Sequence, residues 1–335
     1  MGFFESYGLF LLQFGTVAAI LAFAVARALS RGGEDDGEGR LVIRRLDHQL
    51  RDLGRDLRDA SMPRKARRAA HKADKKADKT DAAPDRSEAD DASLRRIFVL
   101  DFEGDVAARQ VSALAMEVNA ILAEAKPGDE VLLRLSSPGG AVAGYGLGAA
   151  QLERLRAAEL PLTVAVDKVA ASGGYMMAAV AETLLVAPFA MVGSIGVVGT
   201  VPNFRRLLER GGVEVEQHTA GRFKRTLTMV GENDEAGREK FKEELAAIHD
   251  HFGRHLQRWR PALVLDRVAT GEVWIGEQAL ELGLVDAIGT SDAWLLERRE
   301  RPILALRWKA SQGLGRRLST GLQSMVERVV ATLVG

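Results

Sequence analysis

The feature that most constrains the fold is a regular alternation of short apolar strands and helices that begins at residue 97. Strands are predicted over residues 97–102, 131–135, 162–166 and 184–187, and helices over 110–125, 141–158 and 172–181. Strand–helix units joined by short turns are typical of right-handed βαβ crossovers. The sequence therefore predicts an α/β domain with a mainly parallel sheet.

A continuous apolar run without charge lies near the N-terminus, at residues 7–26. Twenty helical residues rise about 30 Å, which matches the hydrocarbon thickness of a bilayer. A cleaved signal peptide would carry a basic segment before a shorter run, whereas the charged side chain that precedes this run is Glu5. We therefore expect an uncleaved transmembrane helix within residues 1–30.

The residues after this anchor are charged and poor in apolar side chains. A short helix is predicted over residues 41–57, residues 64–79 are strongly basic, and residues 81–91 are acidic with Pro84 among them. Such a composition favours a helical stem and linker over a core. We predict a stem at 31–95, the main domain at 96–300 and an amphipathic tail at 301–335. Arginines after the anchor favour the cytoplasmic side, but long domains can translocate despite charge, so the side stays open.

Composition removes several classes of site. Lys and Arg together number 46, as do Asp and Glu, so net charge gives no indication of a nucleic-acid partner. The absence of cysteine excludes disulfides, thiolate zinc sites and cysteine nucleophiles. Three of the six histidines lie on one predicted helix without an HExxH motif, and we predict neither a metal nor a cofactor.

Two glycine-containing turns follow successive strands and predict the chemistry. One reads SSPGG at residues 136–140, and the other reads AASGG at residues 170–174, with Ser172 at its centre. Small residues let the backbone approach a bound carbonyl, and spare N–H groups at a helix start favour developing negative charge. The alternative is a tight packing turn in which Ser172 only caps a helix. Two such turns at the carboxyl edge of one sheet favour a hydrolase with Ser172 as nucleophile.

A serine nucleophile needs a base, and two residues are candidates. His218 lies in an alternating segment, residues 213–219, that predicts a half-buried strand. Lys224 lies beside Phe223, in a segment that also contains Leu227 and Met229. A lysine can act as a base near neutrality only where burial lowers its pKa. Spacing alone favours a surface lysine, so the residues leave the choice of base open.

Several long segments resemble the membrane-bound serine–lysine peptidases of the signal peptide peptidase A (SppA) type, and within them the SohB branch. They are the YGLFL run of the anchor, SPGG followed by GYGL, VDKVAASGGYMMA, APFAMVGSIGVV, TAGRFKRTLTMVGEN and VATGEVW before GLVD. The resemblance covers essentially the whole chain and implies a ClpP/crotonase-like α/β fold.

The resemblance implies a role for individual residues. Ser172 corresponds to the nucleophile, Lys224 to the general base, and Ser194 to a serine that orients the lysine. The implied oxyanion donors are the N–H groups of Gly139, Gly140 and Gly173. The chain departs from the pattern at residues 136 and 137, where Ser-Ser stands in place of Asn-Ser or Glu-Ser. A side chain there is expected to shape the loop.

The implied function is a membrane-anchored endopeptidase that cleaves short unfolded or hydrophobic peptides, such as signal-peptide remnants. Its implied partners are peptide substrates, membrane lipid through the N-terminal helix, and further copies of the chain in a homo-oligomer at the inner membrane. A ClpP-like Ser-His-Asp peptidase is an alternative, but residues 180–212 contain no histidine. An acyl-CoA enzyme of crotonase type, which would need neither Ser172 nor Lys224, and a catalytically idle membrane scaffold are the others.

Overall fold

The computed structural model describes residues 39–81, 95–221 and 223–310. The predicted membrane span at 7–26, most of the acidic linker and the tail beyond residue 310 lie outside these ranges. Within the described ranges, no helix is both long enough and apolar enough to cross a bilayer. The larger of two compact units, residues 43–307, contains the candidate site.

The stem begins with a strand, β1 (Arg40–Arg45), which is followed by helices α1 (Leu46–Ser61) and α2 (Arg64–Asp81). The prediction of a helix from residue 41 is therefore wrong for its first turn. The β-branched pair Val42 and Ile43 favours extended backbone, and β1 has a sheet neighbour to pair with.

The α/β part begins at β2, and its elements follow the predicted alternation. In chain order they are β2 (Ile97–Glu103), α3 (Val111–Glu124), β3 (Glu130–Ser136), α4 (Val142–Ala157), β4 (Leu162–Val166), β5 (Val169–Ala171), α5 (Gly173–Ala178), β6 (Thr183–Val186) and β7 (Met191–Gly193). The remaining elements are α6 (Arg205–Arg210), α7 (Glu235–Trp259), α8 (Leu265–Val268), β8 (Val273–Ile275), α9 (Gly276–Glu281), β9 (Ala287–Ile288), α10 (Ser291–Glu297) and β10 (Ile303–Lys309).

Seven strands form the main sheet in the order β1-β10-β2-β3-β4-β6-β9. The pairs from β10 across to β9 are parallel, which confirms the predicted α/β class with a mainly parallel sheet. Strand β10 pairs with β2 and thus extends the sheet past residue 300, where the sequence placed the end of the main domain. Its apolar side chains Ile303, Ala305 and Leu306 are buried, so this segment belongs to the core and not to a tail.

A second sheet, β5-β7-β8, carries the turn that contains Ser172. Residue Ser137 links the two sheets, because it forms a parallel bridge with Ala170 immediately after β3 ends. This bridge brings both glycine-containing turns to one edge of the molecule.

One predicted strand is absent. Residues 213–219 form no strand and are exposed along their length. Alternating valines predict a strand only where a neighbouring strand can supply hydrogen-bond partners. No such neighbour lies beside this segment among the described residues.

Candidate active site

Ser172 occupies a sharp turn between β5 and α5, with φ of 51° and ψ of −118°. Such a backbone costs of order 1–3 kcal/mol in a non-glycine residue and persists only where neighbours hold it. Here Ala171 N–H donates to Ser137 O (3.0 Å), Ser172 N–H to Gly193 O (2.7 Å) and Met176 N–H to Ser172 O (2.9 Å). A strained strand–turn–helix of this kind exposes the nucleophilic hydroxyl in α/β-hydrolases. Ser172 is half-buried, so its side chain can be reached from solvent.

The glycine loop after β3 lies directly against this turn. Gly139 has φ of 91°, in the left-handed region that favours glycine. A Cβ atom at Gly139 would lie 2.8 Å from Ser172 Cβ and 2.9 Å from Gly173 N, too close for any side chain. The two predicted turns therefore form one site.

The three predicted oxyanion donors differ in whether their N–H groups already donate a hydrogen bond. Gly139 N–H donates to Ser137 Oγ at 3.1 Å. The N–H groups of Gly140 and Gly173 have no acceptor within the described ranges. The N–H groups of Gly140 and Gly173 are therefore available to donate to an oxyanion. The N–H of Gly139 would first have to break its hydrogen bond with Ser137 Oγ.

A buried hydrogen-bond chain supports the loop. Ser137 and Tyr145 are fully buried, and their hydroxyl oxygens lie 2.5 Å apart. Tyr145 donates in turn to Asp105 O at 2.8 Å. Burial raises the pKa of Tyr145, although the Ser137 hydrogen bond opposes the shift, so the phenol remains a donor at neutral pH. The sequence alone did not single out Tyr145; its position in the GYGL motif, in the first turn of the helix after the loop, was the available signal.

Ser194 lies beside the Ser172 turn. It follows Gly193, the residue whose carbonyl accepts the Ser172 N–H, and it has φ of 50°. Its own N–H donates to Glu272 O at 2.6 Å, and its side chain is half-buried. Its role in orienting a lysine stays a prediction.

The structure does not bring Lys224 to Ser172. Lys224 is exposed, and no hydrogen bond joins it to Ser172 in the described part of the chain. The segment that follows it is held elsewhere: Thr228 N–H donates to Asn233 Oδ1 and Phe204 N–H to Met229 O, both at 2.7 Å.

The long helix α7 contacts both regions, near its two ends. Near its start, the Lys240 ammonium lies 5.5 Å from the ring centre of Phe223, the residue before Lys224. Near its end, His255 Nε2 lies 2.9 Å from Met176 O, on the helix that Ser172 precedes. Residues 240 and 255 of a helix are separated by about 22 Å along its axis.

The other candidate base, His218, is also remote. It is 87% exposed, and its Nε2 lies 3.2 Å from a carboxylate oxygen of Glu216. No contact connects it with Ser172 among the residues described.

An apolar groove of about 340 Å³ adjoins the site between α4, α5 and α7. Its lining includes Val142, just after the glycine loop, Met176, just after the Ser172 turn, and Phe252 on α7. Within the described residues, no group of three or more metal-ligating side chains is arranged to hold an ion.

Two family models, Peptidase family S49 N-terminal and Peptidase family S49, match residues 2–152 and 154–302. Together they cover nearly the whole chain.

Individual relatives agree with the family models. "Probable protease SohB" of Haemophilus influenzae is 51% identical over 226 residues, 67% of this chain and 64% of that protein. Its namesake in Buchnera aphidicola from Acyrthosiphon pisum is 53% identical over 206 residues, 62% of this chain and 61% of that protein. "Serine protease SPPA, chloroplastic" of Arabidopsis thaliana is 27% identical over 63% of this chain and 32% of its own length. The matched region thus spans less than two thirds of the length of these relatives.

Proposed function

We propose that this chain, which belongs to the SohB type of peptidase family S49, is a serine endopeptidase with Ser172 as its nucleophile. The observation that carries the proposal is the strained Ser172 turn packed against Gly139. Beside it, the N–H groups of Gly140 and Gly173 have no acceptor among the described residues. A hydroxyl next to two such amides suits acyl transfer from a peptide carbonyl.

In the proposed reaction, Ser172 Oγ attacks the carbonyl carbon while neutral Lys224 accepts the hydroxyl proton. Gly140 and Gly173 donate hydrogen bonds to the resulting oxyanion. Collapse of this intermediate expels the amine, which takes the proton from Lys224, and leaves an ester on Ser172. Water then attacks the ester while Lys224 takes its proton, and the protonated lysine returns this proton to Ser172 Oγ as the carboxylic acid product leaves.

This reaction requires Lys224 to reach Ser172. Within one chain, α7 contacts the residue before Lys224 near its start and the helix after Ser172 near its end, at positions about 22 Å apart along its axis. Hydrogen bonds also hold the backbone of residues 228 and 229, which follow Lys224. A neighbouring copy of the chain could present Lys224 without breaking them. We therefore place the dyad between two copies in the predicted homo-oligomer, where the contact would also bury the lysine.

The groove beside the turns supports hydrophobic or unfolded peptides as substrates, since most of its lining residues are apolar, with Glu153, His251 and His255 as the polar ones. Signal-peptide remnants belong to this class. The predicted span at residues 7–26 would hold the enzyme at the inner membrane, close to such peptides. The fold we propose for the domain is of the ClpP/crotonase-like kind.

Labelling with a fluorophosphonate tests the proposal. The full chain should gain one label, located by peptide mass spectrometry on Ser172, and Ser172→Ala should gain none. Equal labelling of the variant, or a label on another serine, would refute the assignment. A chain that folds but never labels would favour the catalytically idle scaffold.

A further inference from the structure

One side chain contacts both halves of the candidate oxyanion site. The ring of Tyr145 packs so closely on Gly173 that a Cβ atom there would overlap the ring. The hydroxyl of Tyr145 contacts Ser137 Oγ at 2.5 Å, and Ser137 Oγ accepts the N–H of Gly139 at 3.1 Å. The ring orientation is fixed in turn by an edge-to-face contact with Phe102, with centroids 6.3 Å apart.

Proton counting fixes the direction of every bond in this chain. The carbonyl of Asp105 can only accept, so Tyr145 donates its one proton there. The Tyr145 oxygen must then accept from Ser137, and Ser137 Oγ is left with lone pairs for the N–H of Gly139. All of these hydrogen bonds point one way, from the loop to Asp105, so the loss of either hydroxyl interrupts the chain.

Ser137 also joins this chain to the nucleophile through its backbone. Its N–H donates to Val169 O at 2.8 Å, and its carbonyl accepts the N–H of Ala171 at 3.0 Å. Ala171 immediately precedes Ser172. The loop and the turn therefore share one buried support.

We propose that Tyr145, acting through Ser137, is a positioning residue that sets the separation of the two oxyanion donors, Gly140 and Gly173. The proposal rests on the peptidase function proposed above. Among the described residues no hydrogen bond joins Tyr145 to Ser172, so we assign it a positioning and not a catalytic role. Its ring packs against Gly173, and its hydroxyl, through Ser137, holds Gly139, the residue before Gly140. Oxyanion donors act only within about 0.5 Å of their productive positions, so a small displacement lowers the rate.

Tyr145→Phe tests the proposal because it removes one oxygen and keeps the ring on Gly173. Loss of a whole oxyanion donor lowers kcat about 10²–10³-fold, so displacement of one should lower kcat about tenfold. KM for a peptide ester should stay within about twofold, since the oxyanion forms only in the transition state. The matched control is Tyr175→Phe. Tyr175 is equally buried, but its hydroxyl donates to Leu284 O at 2.7 Å, away from the loop, so its kcat should be unchanged.

A double variant sharpens the test. Ser137→Ala interrupts the same hydrogen-bond chain as Tyr145→Phe. The double variant should therefore be no less active than the less active of the two single variants. Multiplicative losses, an unchanged kcat in Tyr145→Phe, or a rise in KM alone would overturn the proposal.

Amide hydrogen exchange tests the positioning role of Tyr145 even if the protein shows no turnover. Exchange at Gly139 should be fastest in Ser137→Ala, intermediate in Tyr145→Phe and unchanged in Tyr175→Phe. Equal exchange in all three would contradict the positioning role. If the wild-type chain shows no turnover that depends on Ser172, the proposed function fails, and the exchange data still decide whether Tyr145 holds the loop.

Discussion

The two residues of the proposed dyad lie in regions with opposite physical character. The Ser172 turn is fixed by three backbone hydrogen bonds and packed against a buried loop. Lys224 lies in residues 213–231, which are mostly exposed and, where described, form neither helix nor strand. The turn of the proposed nucleophile is thus fixed within one chain, whereas the proposed base is exposed to solvent. If the dyad forms as proposed, its serine is pre-organised and its lysine is brought to it by assembly.

The largest expected effect concerns Ser172, in the more rigidly held of the two regions. Ser172→Ala should lower peptide hydrolysis at least about a thousandfold, since no other group can form the acyl-enzyme. Folding should be unaffected, as judged by circular dichroism, because the methyl group fits where the hydroxyl was. A purified variant that keeps more than a few per cent of wild-type turnover would rule out Ser172 as nucleophile.

Lys224 should matter almost as much despite its exposure. Lys224→Ala should lose about 10²–10⁴-fold in rate, the range typical of a general base. Lys224→Arg should not restore the rate, because a guanidinium stays protonated. His218→Ala is the matched control on the same segment and should turn over normally. Near-normal activity in Lys224→Arg would show that the position supplies charge and not proton transfer.

Two glycines with nearly the same φ separate the effect of crowding from that of the left-handed backbone. Gly139 and Gly221 have φ of 91° and 98°. A Cβ atom at Gly221 would meet no described atom closer than Lys224 Cβ at 4.0 Å. Gly221→Ala should therefore cost about 1 kcal/mol of unfolding free energy, from the left-handed backbone alone.

Gly139→Ala carries the same strain and also crowds Ser172, so it should cost more and reduce turnover at least about a hundredfold. Denaturant unfolding and peptide ester hydrolysis measure the two effects. Similar unfolding free energies for the two variants would mean that the loop is not packed against the turn.

The last expected effect is on stability and not on turnover, and it concerns the scaffold on the serine side. Burial alone would raise the pKa of Asp129, but hydrogen bonds from Arg96 and from the N–H of Lys126 lower it on balance. A lowered folded-state pKa stabilises the protein above the unfolded value of about 3.9, and this stabilisation is lost as pH falls through the folded value.

Asp129→Asn should therefore cost about 2 kcal/mol at neutral pH, and the difference from wild type should shrink towards pH of about 3. Urea unfolding at both pH values checks this. A difference that grows on acidification would contradict the sign of the shift.

The strand–helix alternation from residue 97 to residue 187 was predictable from sequence because short continuous apolar runs, which become buried strands, alternate with longer helical segments. The two turns were predictable because SSPGG and AASGG follow strands whose carboxyl ends meet at one edge. Ser172 and Gly139 therefore came together as expected.

The remaining features depend on contacts that local pattern does not encode. Strand β10 is recognisable only by its pairing with β2, and residues 213–219 look like a strand but have no partner. The support from Tyr145 to Gly139 depends on a hydrogen bond between side chains eight positions apart. The exposure of Lys224 and the contacts of α7 with Phe223 and Met176 likewise depend on tertiary packing.

Mixing two inactive variants tests the central claim, that the site is assembled from a rigid serine region and a lysine of another copy. Ser172→Ala keeps Lys224, and Lys224→Ala keeps Ser172, so a mixed oligomer should contain intact sites. A site is intact only when the copy that supplies the serine is Lys224→Ala and the copy that supplies the lysine is Ser172→Ala. At equal amounts and with random assortment, about a quarter of the sites meet both conditions, so about a quarter of wild-type turnover should return. Activity no greater than that of the separate variants, in mixtures shown by native mass spectrometry to contain both, would contradict the account.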